Sequence, residues 1–294
     1  MSFPAPVSRA KTLLERYVGA SQAIHDTSLH ETLRRKEIGP IHHLALRGLQ
    51  FDDGRHTLER FFSCALEAAG YERMRSGAMP SIRGEFVEWA PAGSVGSVGL
   101  PDDPYVFTSL CHVRELSQES QSILKKLRPL FCAREESKEV SADEVVRLPY
   151  LSFDDYATLK ADSQYAAWFV TNTLAVGRGR DAVNHLAYVL NFGESLKTCD
   201  EMNDFLRRKG WQLNTYNGVD VQRDETPEDG YIFRQSSVVA TPITVRFKDD
   251  NQDRPIPGLF HEFVEHPMSL PFRGFSNARA LFTSTANIQH QSAT

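Results

Sequence analysis

Four cysteines in 294 residues are few, and Cys64, Cys111, Cys132 and Cys199 are scattered, with no C-x-x-C pair among them. That excludes a dense disulfide framework and reads as reduced thiols in a cytoplasmic protein. Long apolar runs are lacking too: none approaches the ~18 residues needed to span a bilayer. The opening Met-Ser-Phe-Pro-Ala-Pro lacks a basic stretch followed by an apolar core, so no secretory signal is expected. Neither sign of charge dominates, with 33 Lys and Arg against 38 Asp and Glu and a net charge of -5, which gives no reason to expect nucleic acid or an anionic membrane as partner. No glycine-rich phosphate loop follows a strand, and Gly177-Arg178-Gly179-Arg180 lacks the required spacing. No G-x-S-x-G elbow occurs, and no cysteine sits in a recognisable nucleophile context.

What remains is a chain of ordinary globular composition, 41% hydrophobic, long enough for two domains or for one domain built from two halves. A weak internal repeat favours the second. Residues 41–49 read IHHLALRGL and residues 183–190 read VNHLAYVL, each an apolar run around His-Leu-Ala. After the first, Leu58, Phe61, Phe62, Ala65, Leu66 and Ala69 recur at helical spacing and stop at Gly70 before Tyr71. After the second, Leu196, Cys199, Met202, Phe205 and Leu206 mark a similar stripe that stops at Gly210 before Trp211. Matching order and spacing support a duplication.

Strand-like text follows each helix: 85–89 and 104–110 in the first copy, 231–233, 238–247 and 258–266 in the second. A βαβββ unit cannot bury both faces of its small sheet alone, and two of them paired give an incomplete β-barrel around a cup. The expected organisation is a single α+β domain. It has a helical segment at 1–36, a first module at 37–135 and a helical insertion at 136–180. A second module at 181–270 and a closing helix and tail at 271–294 complete it. Outside the repeats, helix is expected near 8–36, 117–131, 141–175 and 275–287.

Period-two alternation sorts the strand residues. His43 and Arg47 share a face opposite His42, Leu44 and Leu46; the leucines belong under the helix, which turns His43 and Arg47 into the cup. His185 lies on the face of Val183, Ala187 and Val189, and Glu262 on that of Phe260, Val264 and His266. A carboxylate among apolar groups costs several kcal/mol unless it is paired or metal-bound. Two neutral imidazoles and a carboxylate, His43, His185 and Glu262, form the facial triad of non-haem Fe(II) enzymes. By letter count His42 rivals His43, and a one-residue register shift would exchange Glu262 for His261 or Glu265. His25, His30, His56, His112 and His290 lack partners in the text and read as structural.

These segments resemble the 2-oxoadipate dioxygenase/decarboxylase family. IHHLALRGL is similar to its D-H-[IL]-A-[FL]-R strand, VNHLAYVL to its V-N-H strand and FRQSS at 233–237 to its L-R-Q-T-S segment. LFHEFVEH is similar to the strand with its metal-binding Glu, and PFRGFSNARALF at 271–282 to its closing helix. The resemblance implies a vicinal-oxygen-chelate-like fold, Fe(II), O₂ and oxidative decarboxylation of a 2-oxo acid. Its ligands fall on His43, His185 and Glu262, and its carboxylate-gripping arginine on Arg47. Arg234 and Gln235 are further candidates for substrate contacts. Three positions depart from the family: Val189 stands where a second arginine is expected, His42 replaces an Asp, and Leu110 replaces a Glu. A dicarboxylate wants two cationic anchors, so Val189 argues against 2-oxoadipate itself. A metal used as Lewis acid for isomerase, cyclase or lyase chemistry without O₂ needs the same three ligands, and a non-catalytic binding protein would keep the cup with one of them missing, whereas all three are present.

Overall fold

The computed structural model describes residues 29, 33, 35–58, 64–132, 145–176, 183–215, 218–226 and 228–275. Most of the helix expected at 8–36, and nearly all of that at 275–287, lies outside them. The first module runs β1 (Ile41–Gln50), α1 (Cys64–Ala68), β2 (Tyr71–Met79), β3 (Gly84–Pro91) and β4 (Tyr105–His112). After α2 (Gln118–Cys132) come β5 (Val146–Leu148), α3 (Phe153–Asp162) and α4 (Gln164–Val176). The second module runs β6 (Val183–Val189), α5 (Cys199–Arg208), β7 (Gln222–Thr226) and β8 (Tyr231–Ser237), then β9 (Pro242–Phe247), β10 (Arg254–Pro257) and β11 (Phe260–Glu265).

Eight strands form one curled half-barrel sheet in the order β2-β3-β4-β1-β6-β11-β8-β7. Read outward from its middle, the order is β1, β4, β3, β2 on one side and β6, β11, β8, β7 on the other. β1 and β6 meet antiparallel, and each has its parallel partner, β4 or β11, on its far side. The two halves are thus topologically equivalent. Three expectations are corrected. Residues 238–247 are not one strand of this sheet: β9 leaves it to pair with β10 and β5 in a second, three-stranded sheet, and β7 takes the place in the module. The stretch at 141–175 is not wholly helical, because Val146–Leu148 is extended against β9. Leu196 precedes the second helix with φ 52°; the helix starts at the capping box of Thr198 and Glu201, whose side chain and backbone groups satisfy each other's free donors.

The sheet separates two apolar layers. On the outer face Leu44, Leu46, Leu186 and Phe263 pack under Leu66 and under Met202, Phe205 and Leu206 of α5. On the inner face Ala45, Leu49, Ala187, Val189 and Val264 share one apolar cluster with Tyr165, Trp168 and Phe169 of α4. Residues 165–173 of α4 are buried without a break, which an amphipathic surface helix never shows. The helix lies between the curled sheet and the small one, tied to the latter's approach by Trp168 Nε1 donating to Gly258 O at 2.7 Å and Asn172 Nδ2 to Pro257 O at 2.9 Å. Gly70 and Gly210, after the two equivalent helices, have φ 81° and 82°, the left-handed stop that a Cβ disfavours.

Candidate metal centre

Each of the two central strands carries one β-bulge, and the bulges are equivalent. Between the pairs Ile41↔Tyr188 and His43↔Ala187, β1 spends an extra residue, His42. Between Ala45↔His185 and Leu46↔Val183, β6 spends an extra residue, Asn184. A bulge breaks alternation and re-aims the residue it inserts. His42 is accordingly not on the leucine face: its ring lies 5.2 Å from that of Tyr105, 5.9 Å from Phe233 and 5.2 Å from Phe272, all inner-layer residues. The residue before each repeat histidine therefore sits against that histidine, His42 Nδ1 2.9 Å from His43 Nδ1 and Asn184 Oδ1 3.1 Å from His185 Nδ1.

His43, His185 and Glu262 converge, with one potential ligand atom from each lying within 4.8 Å of the others. His43 Nε2 is 3.2 Å from His185 Nε2, and Glu262 Oε2 is 3.4 Å from the first and 3.3 Å from the second. All three side chains are buried. Atoms bound to one cation at ~2.1 Å and at angles between octahedral and tetrahedral stand roughly 3.0–3.4 Å apart. The measured triangle has those edges. Glu262 Oε2 accepts a hydrogen bond from Gln235 Nε2, and its Oε1 has no partner among the described residues. Burial pushes the Glu262 carboxyl well above the usual range, against the pull of Gln235 and of Arg47. Burial likewise holds the His43 and His42 imidazoles well below their usual values, so both rings are neutral at pH 7. Two imidazoles and a half-satisfied buried carboxylate are a donor set that fits a divalent cation.

The register explains why one half gives a carboxylate and the other does not. Tyr105 pairs with His43 as Phe260 pairs with His185, so two residues on, Phe107 occupies the place equivalent to Glu262. The site is walled by rings, Phe260 4.6 Å from His185 and Phe275 4.4 Å from His43.

Arg47 is on the inner face and buried, its guanidinium 5.0 Å from the Tyr165 ring and 4.9 Å from the Trp168 ring of α4. Burial lowers its pKa to about 10, with Tyr165 and Glu262 opposing the shift, so it stays charged at pH 7. Tyr165 is itself pinned, its hydroxyl donating to Ser109 O at 2.7 Å and accepting from Gly48 N at 2.9 Å. A cavity of about 240 Å³ is lined by Arg47, Ile82, Arg83, Asp162 and Tyr165.

Of the other candidates, Gln235 is in the cup and Arg234 is not. Arg234 projects to the opposite face, pairing with Glu225 at 2.7 Å and Glu265 at 3.6 Å, as alternation from Gln235 requires. His261 packs on Tyr188 of the outer layer and Glu265 on the N-terminus of α5, where its Oε1 accepts from Cys199 N at 2.8 Å, so neither replaces Glu262. Sequence reasoning weighed His42 only as a rival ligand and gave no role to Asn184, Tyr165 or Trp168. The first two are hidden by the bulges. The signal for the last two was the unbroken apolar run of the insertion, which marked a helix that had to be buried.

The family model described as 2-oxoadipate dioxygenase/decarboxylase matches residues 3–292. The chain belongs to the 2-oxoadipate dioxygenase/decarboxylase family. It is 28% identical over 232 residues to the chloroplastic 2-oxoadipate dioxygenase/decarboxylase of Arabidopsis thaliana, covering 76% of this chain and 57% of that protein. The chain thus spans little more than half the length of that relative. Among solved structures, hydroxyglutarate synthase from Oryza sativa in complex with 2-oxoadipate superposes with a TM-score of 0.70 at 22% identity, over 98% of this chain and 97% of that one. A glyoxalase superfamily protein from Ralstonia eutropha JMP134, so named, gives 0.59 at 15% identity, over 90% and 85%. The fold of this family member is shared with both of these structures.

Proposed function

We propose that this chain is an Fe(II)- and O₂-dependent oxygenase that oxidatively decarboxylates a 2-oxo acid, with His43, His185 and Glu262 as the metal ligands. The observation that carries the reading is the triangle of 3.2, 3.3 and 3.4 Å between three buried donor atoms, closed on its flanks by phenylalanine rings. Bound there, Fe(II) would supply the redox chemistry by which O₂ and a 2-oxo acid react. Three protein ligands leave coordination positions for a chelating substrate. The protein's own work is to bind, orient and exclude water. Gln235 fixes the Glu262 carboxylate by donating to Oε2, and Phe260 and Phe275 set the two imidazole planes. Arg47, held rigid between two aromatic rings, would take a carboxylate through its planar fork.

The cup's inner layer has Val189, four residues after His185 as Arg47 is four after His43, where the family resemblance expects a second arginine, so one carboxylate is anchored and the rest of the substrate meets apolar surface. That favours a 2-oxo acid with an uncharged remainder over a dicarboxylate. The family name supports the reaction class, and 2-oxoadipate belongs to the proteins so named.

The test is an anaerobic titration of purified protein with Fe(II), Mn(II), Ni(II) and Zn(II), followed by O₂ uptake and CO₂ release over a panel of 2-oxo acids. One metal per chain, with uptake only for the iron form and stoichiometric CO₂, is the expected result. Binding of metal without substrate-dependent O₂ uptake across the panel would overturn the oxygenase reading in favour of Lewis-acid chemistry.

A further inference from the structure

The site's histidines do not end with the ligands. His266, just beyond β11, and His42 form a chain with His43: His266 Nε2 lies 3.2 Å from Gly99 O, His266 Nδ1 3.0 Å from His42 Nε2, and His42 Nδ1 2.9 Å from His43 Nδ1. All three rings are buried, and none exposes more than 1% of its surface. His42 and His266 have no acid beside them among the described residues, and burial holds His43 neutral although Glu262 Oε2 is 3.4 Å from its Nε2, so each ring carries one N–H and one lone pair.

One end of this chain is a carbonyl oxygen, which can only accept. His266 must therefore protonate Nε2 and present its Nδ1 lone pair, to which His42 Nε2–H donates. His42 is left with a lone pair on Nδ1, to which His43 Nδ1–H donates. His43 is left with its lone pair on Nε2, the atom that faces His185 and Glu262. Every tautomer follows from the one fixed acceptor. In the other half the same end is reached in one step: the amide oxygen of Asn184 accepts from His185 Nδ1–H and leaves Nε2 bare.

We infer that His42 and His266 are positioning residues that lock His43 in the Nδ1–H tautomer and aim its Nε2 lone pair into the metal centre. The inference rests on the metal reading of His43, His185 and Glu262 but not on O₂ chemistry. Outer partners of a ligating histidine fix its ring and raise its basicity, and their loss typically weakens metal affinity ~10–100-fold.

The experiment uses the full chain. In metal-free wild-type protein, ¹⁵N NMR of the imidazoles is expected to show His43 with a pyrrole-type Nδ1 and a pyridine-type Nε2. The opposite tautomer would overturn the inference without any variant. His266→Phe keeps the ring and removes the acceptor, so His43 should become a tautomer mixture and Mn(II) affinity by calorimetry should fall ~10–100-fold. His42→Asn added to His266→Phe gives His43 an obligate acceptor again, as Asn184 does for His185, and should restore the wild-type affinity and tautomer. A structural role for His266 alone would not be rescued by a change at position 42. Unchanged Mn(II) affinity in His266→Phe sinks the inference while leaving the metal centre standing. Failure of wild-type protein to bind any divalent metal sinks the metal reading instead, and the NMR result still decides the tautomer lock.

Discussion

Glu262→Gln should make the metal-free protein more stable and the metal-saturated protein less stable than wild type. The carboxylate is wholly buried, its Oε1 lacks a partner among the described residues, and burial drives its pKa well up. An uncompensated buried charge costs ~3–5 kcal/mol, and a hydrogen bond to a charged group, here from Gln235, returns ~1.5–3 kcal/mol. The amide keeps an oxygen for Gln235 and carries no charge, so it should gain about 1–2 kcal/mol in chelator, or roughly 2–8 °C in Tm at ~2–4 °C per kcal/mol for a chain of this size. The sign with pH follows from the raised folded-state pKa. The wild-type penalty is absent below the unfolded carboxyl value and grows as pH rises above it, so the two proteins should coincide near pH 4 and diverge toward pH 8. With metal at ~100 times Kd, wild type gains ~2.7 kcal/mol and the variant essentially none, so the order inverts. Differential scanning fluorimetry in chelator and in Mn(II), at three pH values, reads all of this. Wild type more stable than Glu262→Gln in chelator at pH 8, or equal metal-induced shifts, would refute the reasoning.

His185→Ala should fold, because the half-barrel is built by apolar layers on both faces of the sheet, yet lose metal-dependent activity; retained activity in metal-quantified protein would show that another ligand had been missed. Arg47→Lys and Arg47→Met should both lower kcat/KM for a 2-oxo acid sharply, since an ammonium cannot reproduce the planar fork. Unchanged kinetics with a lowered Tm would reassign Arg47 to structure. Acid should destabilise the metal-free fold between pH 6.5 and 4. His266 titrates at about 4 when folded because burial disfavours its charge, so its stability contribution is complete above the unfolded value of 6.5. It is lost as pH falls, to the extent of roughly 3 kcal/mol at ~1.4 kcal/mol per unit. A flat urea midpoint over that range would contradict it. Thr198→Ala removes half of the capping box of α5 and should cost ~1 kcal/mol in urea unfolding with no change in metal affinity.

Much of the centre could be read from strand alternation, because a sheet with two buried faces leaves register no freedom. His43, Arg47 and Glu262 turn inward for that reason, and the leucines between them turn out. The same rule placed His42 with the leucines, and there it failed. A bulge leaves no mark in the residue types of one strand; it is fixed by how two distant strands pair, and His42 and Asn184 are the inserted residues. Arg234 was legible and misread: one residue from Gln235, it had to face away. β9 reads as a strand by composition, yet only its pairing with β10 and β5 shows that it belongs to the second sheet. Trp168 and Tyr165 come to Arg47 from an insertion outside either repeat, where no period relates them to the site.

The two bulges bear on how a duplicated frame acquires unequal halves. Each shifts the alternation of its strand by one, so that Ile41 and Val183 face the outer layer although His43 and His185 face the inner one, and the inserted side chain can change while the pairing on either side is kept. In one half the inserted residue is an amide that ends the hydrogen bonding at once. In the other it is an imidazole that passes it on to His266 and Gly99. The two nitrogens offered to a metal therefore differ in basicity although their strands are equivalent. With Phe107 opposite Glu262, the centre has no symmetry of its own, and a chelating substrate meets two distinguishable sides.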